Sequence, residues 1–169
     1  MTPQSFATER HAGQTRKGPI PAPYVTHCAE VAKIVAQHGG AEEVIAAAWL
    51  HDTVEDSVTT VAEIEQLFGV AVASMVAEVT DDLTLSKDDQ RAAQIASAPH
   101  KSPGAALIKA ADQMSNMRGL VASPPEWPQE RRAAYIAKAR AVVAGLTIPQ
   151  ALQSEFDAAA QAAEEHEVE

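Results

Sequence analysis

The stretch "LHDTVEDSVTT", Leu50 to Thr60, sets one histidine and three carboxylates within six residues, directly after "VIAAAWL", which has hardly a polar atom. An apolar helix belongs in a core, yet this one leads into His51-Asp52 and then Glu55-Asp56. Mixed imidazole and carboxylate groups are what a hydrolytic divalent metal site needs, provided they hold the ion without filling it. On a helix the adjacent His51 and Asp52 point about 100° apart. They can flank one ion only beside a helix end or with ligands from other helices. Two such groups stand elsewhere. His27 lies one turn before Val31 on an apolar-faced segment, and Asp112 interrupts the core-like run "ALIKAADQM". Each also has a plainer role open to it. His51 suits the dipole at a helix C-terminus, Asp112 can pair with Lys109 three residues earlier, and Glu55-Asp56 can form a solvated turn.

The elements that must position these groups read as helices. Pro, Gly and Ser/Thr punctuate the chain and almost nothing alternates with the period of a strand. Helices are expected over residues 3–14, 23–40, 41–52, 60–69, 70–80, 86–97, 102–120, 128–146 and 149–167. Thr60 and Glu63 have capping-box spacing after the acidic loop. Ser102-Pro103 and Pro149 begin helices in the usual way, and Gly39-Gly40 and Gly145 end them. The fold class is all-α, a compact multi-helix bundle. The segment 41–52, apolar nearly all round, is expected at its centre. Residues 1–150 form the expected catalytic domain, and 151–169 an acidic helix or tail of the same unit that frays after Ala158.

With 169 residues and 46% hydrophobic content, there is room for one domain with a sizeable core. The formal charge is -10, of which six acids between Glu155 and Glu169 supply the larger part. So acidic a chain offers no basic face to nucleic acid. A small phosphorylated ligand needs only a local cluster, and Arg10, Arg16 and Lys17 against Glu9 make the first 24 residues locally positive. A single cysteine, Cys28, excludes an intrachain disulfide, and no apolar run approaches the roughly 20 residues that span a bilayer. The expectation is a cytoplasmic protein with neither nucleic acid nor membrane as partner.

Together, His27, His51-Asp52 and Asp112 form an "H…HD…D" pattern that resembles the HD superfamily of metal-dependent phosphohydrolases. A closer resemblance is to the hydrolase domain of RelA/SpoT proteins and to stand-alone small alarmone hydrolases. It is carried by "HAGQTRKG", "PYVTH", "AAWLHDTVEDSVTT", "FGVAVASMVAEVTDD", "APHKSPGAALIKAADQMSNMR" and "EWPQERRAAYIAKARAVVAGL", and covers about His11 to Leu146. The resemblance implies that His27, His51, Asp52 and Asp112 hold one metal, usually Mn²⁺, and that Glu55 and Asp56 are the catalytic acid pair handling the protons of attacking water and leaving group. It implies as substrate the guanine nucleotides ppGpp and pppGpp, cut at the 3′ position to give GDP or GTP and pyrophosphate in the stringent response. Arg16 would stack on the purine, Lys17 would make polar or phosphate contacts, and Asn116 would face the nucleotide one turn beyond Asp112. Tyr135 falls where these enzymes place a ligand-contacting tyrosine, and equally fits an ordinary amphipathic core position.

The chain departs from the family at three places. Cys28 stands for Pro, Ser115 for an aromatic or His, and Gly119 offers no side chain where the long enzymes have a hydroxyl. Two other readings stay open at this point: another nucleotide substrate, such as the 2′-phosphate of NADPH, and a catalytically silent module that binds an alarmone or a protein. A synthetase domain has no room in this length, so the expectation is a hydrolase only.

Overall fold

A computed structural model describes residues 1–166, and among them the chain forms ten α-helices, one 3₁₀ turn and no strand. Thr2 and Ser5 cap α1 (Pro3–Arg10) reciprocally, with Pro3 in its first turn. This helix stops well before residue 14 because the chain reverses at Gly13, whose φ of 79° suits a residue without Cβ. Then follow α2 (Val25–Gln37), α3 (Glu42–Leu50) and the single turn α4 (Thr53–Asp56). The acidic stretch expected as a loop is therefore partly helical. Thr53 Oγ1 donates to Leu50 O at 2.7 Å and Ser57 Oγ to Thr53 O at 2.6 Å, so hydroxyls supply the acceptors' partners where the backbone ladder is too short.

Thr60 accepts from the Glu63 N–H to start α5 (Val61–Phe68), and Gly69 separates it from α6 (Val70–Val79). Ser86 caps α7 (Lys87–Ser97), which runs into the 3₁₀ turn Ala98–His100. Ser102 caps the longest helix, α8 (Pro103–Ala122), and Pro128 and Pro149 precede α9 (Gln129–Gly145) and α10 (Gln150–Glu165).

The centre of the bundle is α8, not α3. The helices α2, α3, α6, α9 and α10 all pack against it. Its middle is buried all round, Ala110 to Ser115 without interruption, whereas α3 leaves Glu42 and Glu43 in solvent and covers Val44, Ile45 and Trp49 only partly. A long helix surrounded by partners is the stiffest place available for Asp112. The Ala/Glu-rich tail does not fray after Ala158: α10 continues to Glu165, burying Leu152, Phe156, Ala160 and Ala163, and Arg132 Nη2 donates to Ala163 O at 2.9 Å. The part of the expected tail at 167–169 lies outside the described residues. No helix among the described residues is long and apolar enough to cross a membrane.

Phe156 fixes α10 to the bundle and is 1% exposed. Phe156→Ala should cost about 3–5 kcal/mol, read in urea denaturation as a lower midpoint with an unchanged slope.

Candidate metal centre and cleft

Four helices bring the metal-type side chains together. His27 comes from the first turn of α2, His51 caps the C-terminus of α3, Asp52 follows it as the N-cap of α4, and Asp112 sits mid-way along α8. The break between α3 and α4 resolves the angular problem of adjacent ligands, since Asp52 leaves the helix that carries His51. His27 Nε2 is 3.3 Å from Asp112 Oδ1 and 3.5 Å from Asp52 Oδ2. His51 Nε2 is 3.0 Å from Asp52 Oδ2 and 3.9 Å from Asp112 Oδ1. One ligand atom each from His27, His51 and Asp112 fall within 4.8 Å of one another, and all three residues are buried.

Hydrogen bonds on the far side of the rings fix what these atoms can do. His51 Nδ1 faces Ala48 O at 2.8 Å, and a carbonyl can only accept, so Nδ1 carries the proton and the neutral ring offers a lone pair at Nε2. That Nε2 is buried without a hydrogen-bond partner, 3.0 Å from a carboxylate oxygen but outside hydrogen-bonding geometry. An orphaned imidazole nitrogen between a buried and a half-buried carboxylate is costly unless a cation is shared among them. Two neutral imidazoles and two carboxylates carry a charge of -2, which suits a single divalent ion, and the mixed nitrogen and oxygen donors suit one from the first transition row. The residues present therefore fit a metal.

Without an ion, protons must serve instead. Burial disfavours the imidazolium of His51, but Asp52 and Asp112 outweigh it and lift the group to about 9. His27 is also raised, burial again being overcome by Asp112 and Asp52. Burial acts to raise both carboxyls, yet the surrounding cations hold them well below the ordinary range: His51 and His27 for Asp52, Lys109 and the histidines for Asp112. The pairing of Lys109 with Asp112 exists too, at 3.1 Å through Oδ2, while Oδ1 accepts from Asn116 Nδ2 at 2.9 Å and faces the histidines. The two readings of Asp112 are thus compatible, one for each oxygen.

Beside this cluster opens a cleft of about 740 Å³ whose walls include Asp52, Glu55, Asp112, Asn116, Trp127 and Tyr135. Six of the chain's 13 Lys and Arg residues line it, Lys17, Lys87, Arg91, Lys109, Arg131 and Lys138, against five carboxylates, Asp52, Glu55, Asp81, Asp112 and Glu130. Glu55 faces the cleft and accepts from the Asp81 N–H. Burial, countered by that hydrogen bond and helped by Asp81 and Asp52, pushes it up to about 7. Asp56 is the next residue on α4 and is turned to solvent outside the cleft wall; burial and Asp52 raise its carboxyl as well. The structure therefore separates the two acids that the sequence sets side by side.

On the opposite side, the loop 11–24 carries Arg16 and Lys17. It is closed on itself by Arg16 N to Ala22 O and Tyr24 N to Gln14 O, each at 2.9 Å. Gly18, with φ 108°, lies so close to Ser123 that no Cβ fits. A niche between loop and bundle is lined by Arg16, Lys17, His27, Asn116, Trp127 and Tyr135 among others. Arg16 Nη1 pairs with Glu30 at 3.3 Å, and Nη2 lies where a Cβ on Gly119 would come within 3.2 Å. The Tyr135 ring stacks edge-on to Trp127 at 5.1 Å, with Lys17 and Lys138 at 5.7 and 5.6 Å. Tyr135 is at once cleft wall and packed residue.

Several participants carry little signal in the sequence. Tyr24 donates to Asp52 Oδ2 at 2.6 Å, orienting that carboxylate. Ser115, visible in the sequence only as a departure, contacts His27, Glu30 and Arg16. Lys138 enters the cleft from α9, where burial and Lys109 lower it to about 8. Hydroxyls and lysines on helices are too common to mark; only tertiary packing reveals these.

The HD domain family model matches residues 4–146. The human protein named guanosine-3′,5′-bis(diphosphate) 3′-pyrophosphohydrolase MESH1 is 44% identical over 144 residues, 83% of this chain and 80% of its own. Its Xenopus tropicalis counterpart is 46% identical over 145 residues, 84% and 81% of the two chains. A solved structure described as a metazoan ortholog of SpoT that hydrolyzes ppGpp superposes with a TM-score of 0.89 at 37% identity, covering 94% of this chain and 92% of that one.

A carboxyl lifted from 4.5 to about 7 binds its proton more tightly folded than unfolded. Its contribution is present below 4.5 and is lost as pH rises through 7. Metal-free Glu55→Gln should therefore be more stable than the metal-free parent above neutral pH, the difference shrinking towards acid. Parallel melting curves across pH check this.

Proposed function

The chain belongs to the HD domain family, and from that membership we propose that it is a hydrolase of ppGpp and pppGpp, releasing the 3′-pyrophosphate to leave GDP or GTP. The observation that carries the reading is the convergence of two imidazole Nε2 atoms and two carboxylates beside a cation-lined cleft. His27, His51, Asp52 and Asp112 would hold Mn²⁺, which when bound supplies Lewis-acid stabilisation of charge on phosphoryl oxygens.

The remaining work falls to the chain's own side chains. Glu55, held near neutrality at the cleft wall, can take a proton from attacking water and return it to the leaving oxygen. Asp56, displaced towards solvent, would assist as the second member of the acid pair. Lysines and arginines along the cleft neutralise a polyphosphate that the acidic remainder of the surface repels. Arg16 would stack on the base through its planar guanidinium and Lys17 would make polar or phosphate contacts, with Asn116 and Tyr135 also lining the niche.

The test is a purified-protein assay with ppGpp and NADPH in parallel, with Mn²⁺ and after exhaustive chelation. Pyrophosphate and GDP should appear from ppGpp only with the ion. NADPH dephosphorylation without ppGpp turnover would replace this substrate, and full activity after chelation would refute the metal.

His51→Ala and Asp112→Ala should lose both bound metal and turnover. Glu55→Gln should keep the ion while slowing hydrolysis on the order of 10²-fold or more, and Asp56→Asn should slow it less, in keeping with its place outside the cleft wall. Arg16→Ala should lower kcat/KM for ppGpp, with Arg16→Lys an incomplete rescue. Metal content and rate measured on the same preparations distinguish these cases.

A further inference from the structure

The hydroxyl of Ser115 stands at the meeting of three hydrogen bonds. Glu30 Oε2 lies 2.6 Å from Oγ, His27 Nδ1 2.9 Å and Arg16 Nη2 3.2 Å. A guanidinium can only donate. Glu30 sits between Arg16 at 3.3 Å and Arg118 at 3.2 Å, and a carboxylate flanked by two guanidinium groups is an acceptor only. The one proton on Oγ must therefore go to Glu30, leaving two lone pairs for incoming N–H groups. Arg16 occupies one, so the contact to His27 is favourable only if Nδ1 carries its proton. That leaves the lone pair of the neutral ring on Nε2, which is the atom aimed at Asp52 and Asp112.

We infer that Ser115 is a positioning residue, whose hydrogen bond to Glu30 sets the tautomer of His27 and so readies it as a metal ligand. The inference rests on the metal-site reading above and deepens it. Ser115 is fully buried, so water offers no substitute for the hydroxyl. The same oxygen fastens Arg16, which ties a cation of the nucleotide niche to the atom that orients a metal ligand. Partners beyond the ligands typically contribute 10–100-fold in metal affinity.

The experiment measures Mn²⁺ affinity of the full chain by competition with a fluorescent chelator. Ser115→Ala should raise Kd by about 10–100-fold. Glu30→Gln keeps the shape but replaces a pure acceptor with an amide that can also donate, and should raise Kd by a smaller factor; it decides the matter should Ser115→Ala not fold. In the diamagnetic zinc-loaded protein, long-range proton–nitrogen spectra should show a slowly exchanging proton on His27 Nδ1 that Ser115→Ala loses, a signature that loss of packing alone would not produce. Unchanged Mn²⁺ affinity in folded Ser115→Ala or in Glu30→Gln, or a His27 bound to zinc through Nδ1, overturns the inference and leaves the metal site standing. A parent protein that binds neither ion overturns both.

Discussion

Two carboxylates, one buried and one half-buried, crowded beside two buried imidazoles set the terms for the rest of the molecule. Asp52 and Asp112 would be intolerable in an apolar interior without compensation, since desolvating a carboxylate costs several kcal/mol even after relaxation. Everything near them supplies that compensation. Lys109 and Gln113 take one oxygen of Asp112, Asn116 donates to the other, and Tyr24 donates to Asp52. The helical architecture follows the same demand. α8 runs through the centre of the bundle to hold Asp112 rigidly, and the chain breaks between Leu50 and Thr53 so that His51 and Asp52 can converge on the same point.

What the sequence discloses depends on whether a residue violates its surroundings. His27 and Asp112 are legible because each interrupts an apolar helical face, and His51-Asp52 because they follow a run with almost no polar atoms. Helix starts at Thr60, Ser86 and Ser102 are legible for a different reason: a cap acts within three residues, so the signal is local. The single turn at Thr53–Asp56 was hidden because its hydrogen bonds depend on side-chain hydroxyls rather than on propensity. The fraying expected after Ala158 failed because composition says nothing of the groove beside α8 in which Ala160 and Ala163 are buried. Likewise Glu30, Ser115 and Lys138 conform to ordinary helix positions, and their roles arise only when α2, α8 and α9 are brought together.

Small side chains where the loop 11–24 meets α8 matter as much as charged ones. A Cβ at Gly119 would press on the Arg16 guanidinium, and the side chain at 115 is a hydroxyl rather than a ring. Arg16 can therefore lie down against α8 and share its hydrogen bonds with the residues behind His27. Ser115 and Gly119 are thus parts of one local arrangement, in which the loop 11–24 rests directly on the helix that carries Asp112.

The uneven placement of charge has a kinetic meaning. Of 13 cationic side chains, six face one cleft, in a molecule whose formal charge is -10. Five carboxylates, Asp52, Glu55, Asp81, Asp112 and Glu130, share its walls, so the cleft carries a slight excess of cation while the rest of the surface is strongly acidic and repels a polyanion. An approaching polyanion is therefore opposed least at this opening. The Debye length contracts from about 10 Å at 0.1 M to about 3 Å at 1 M, so how far this contrast between cleft and surface reaches is set by the salt around the molecule as much as by the residues within it.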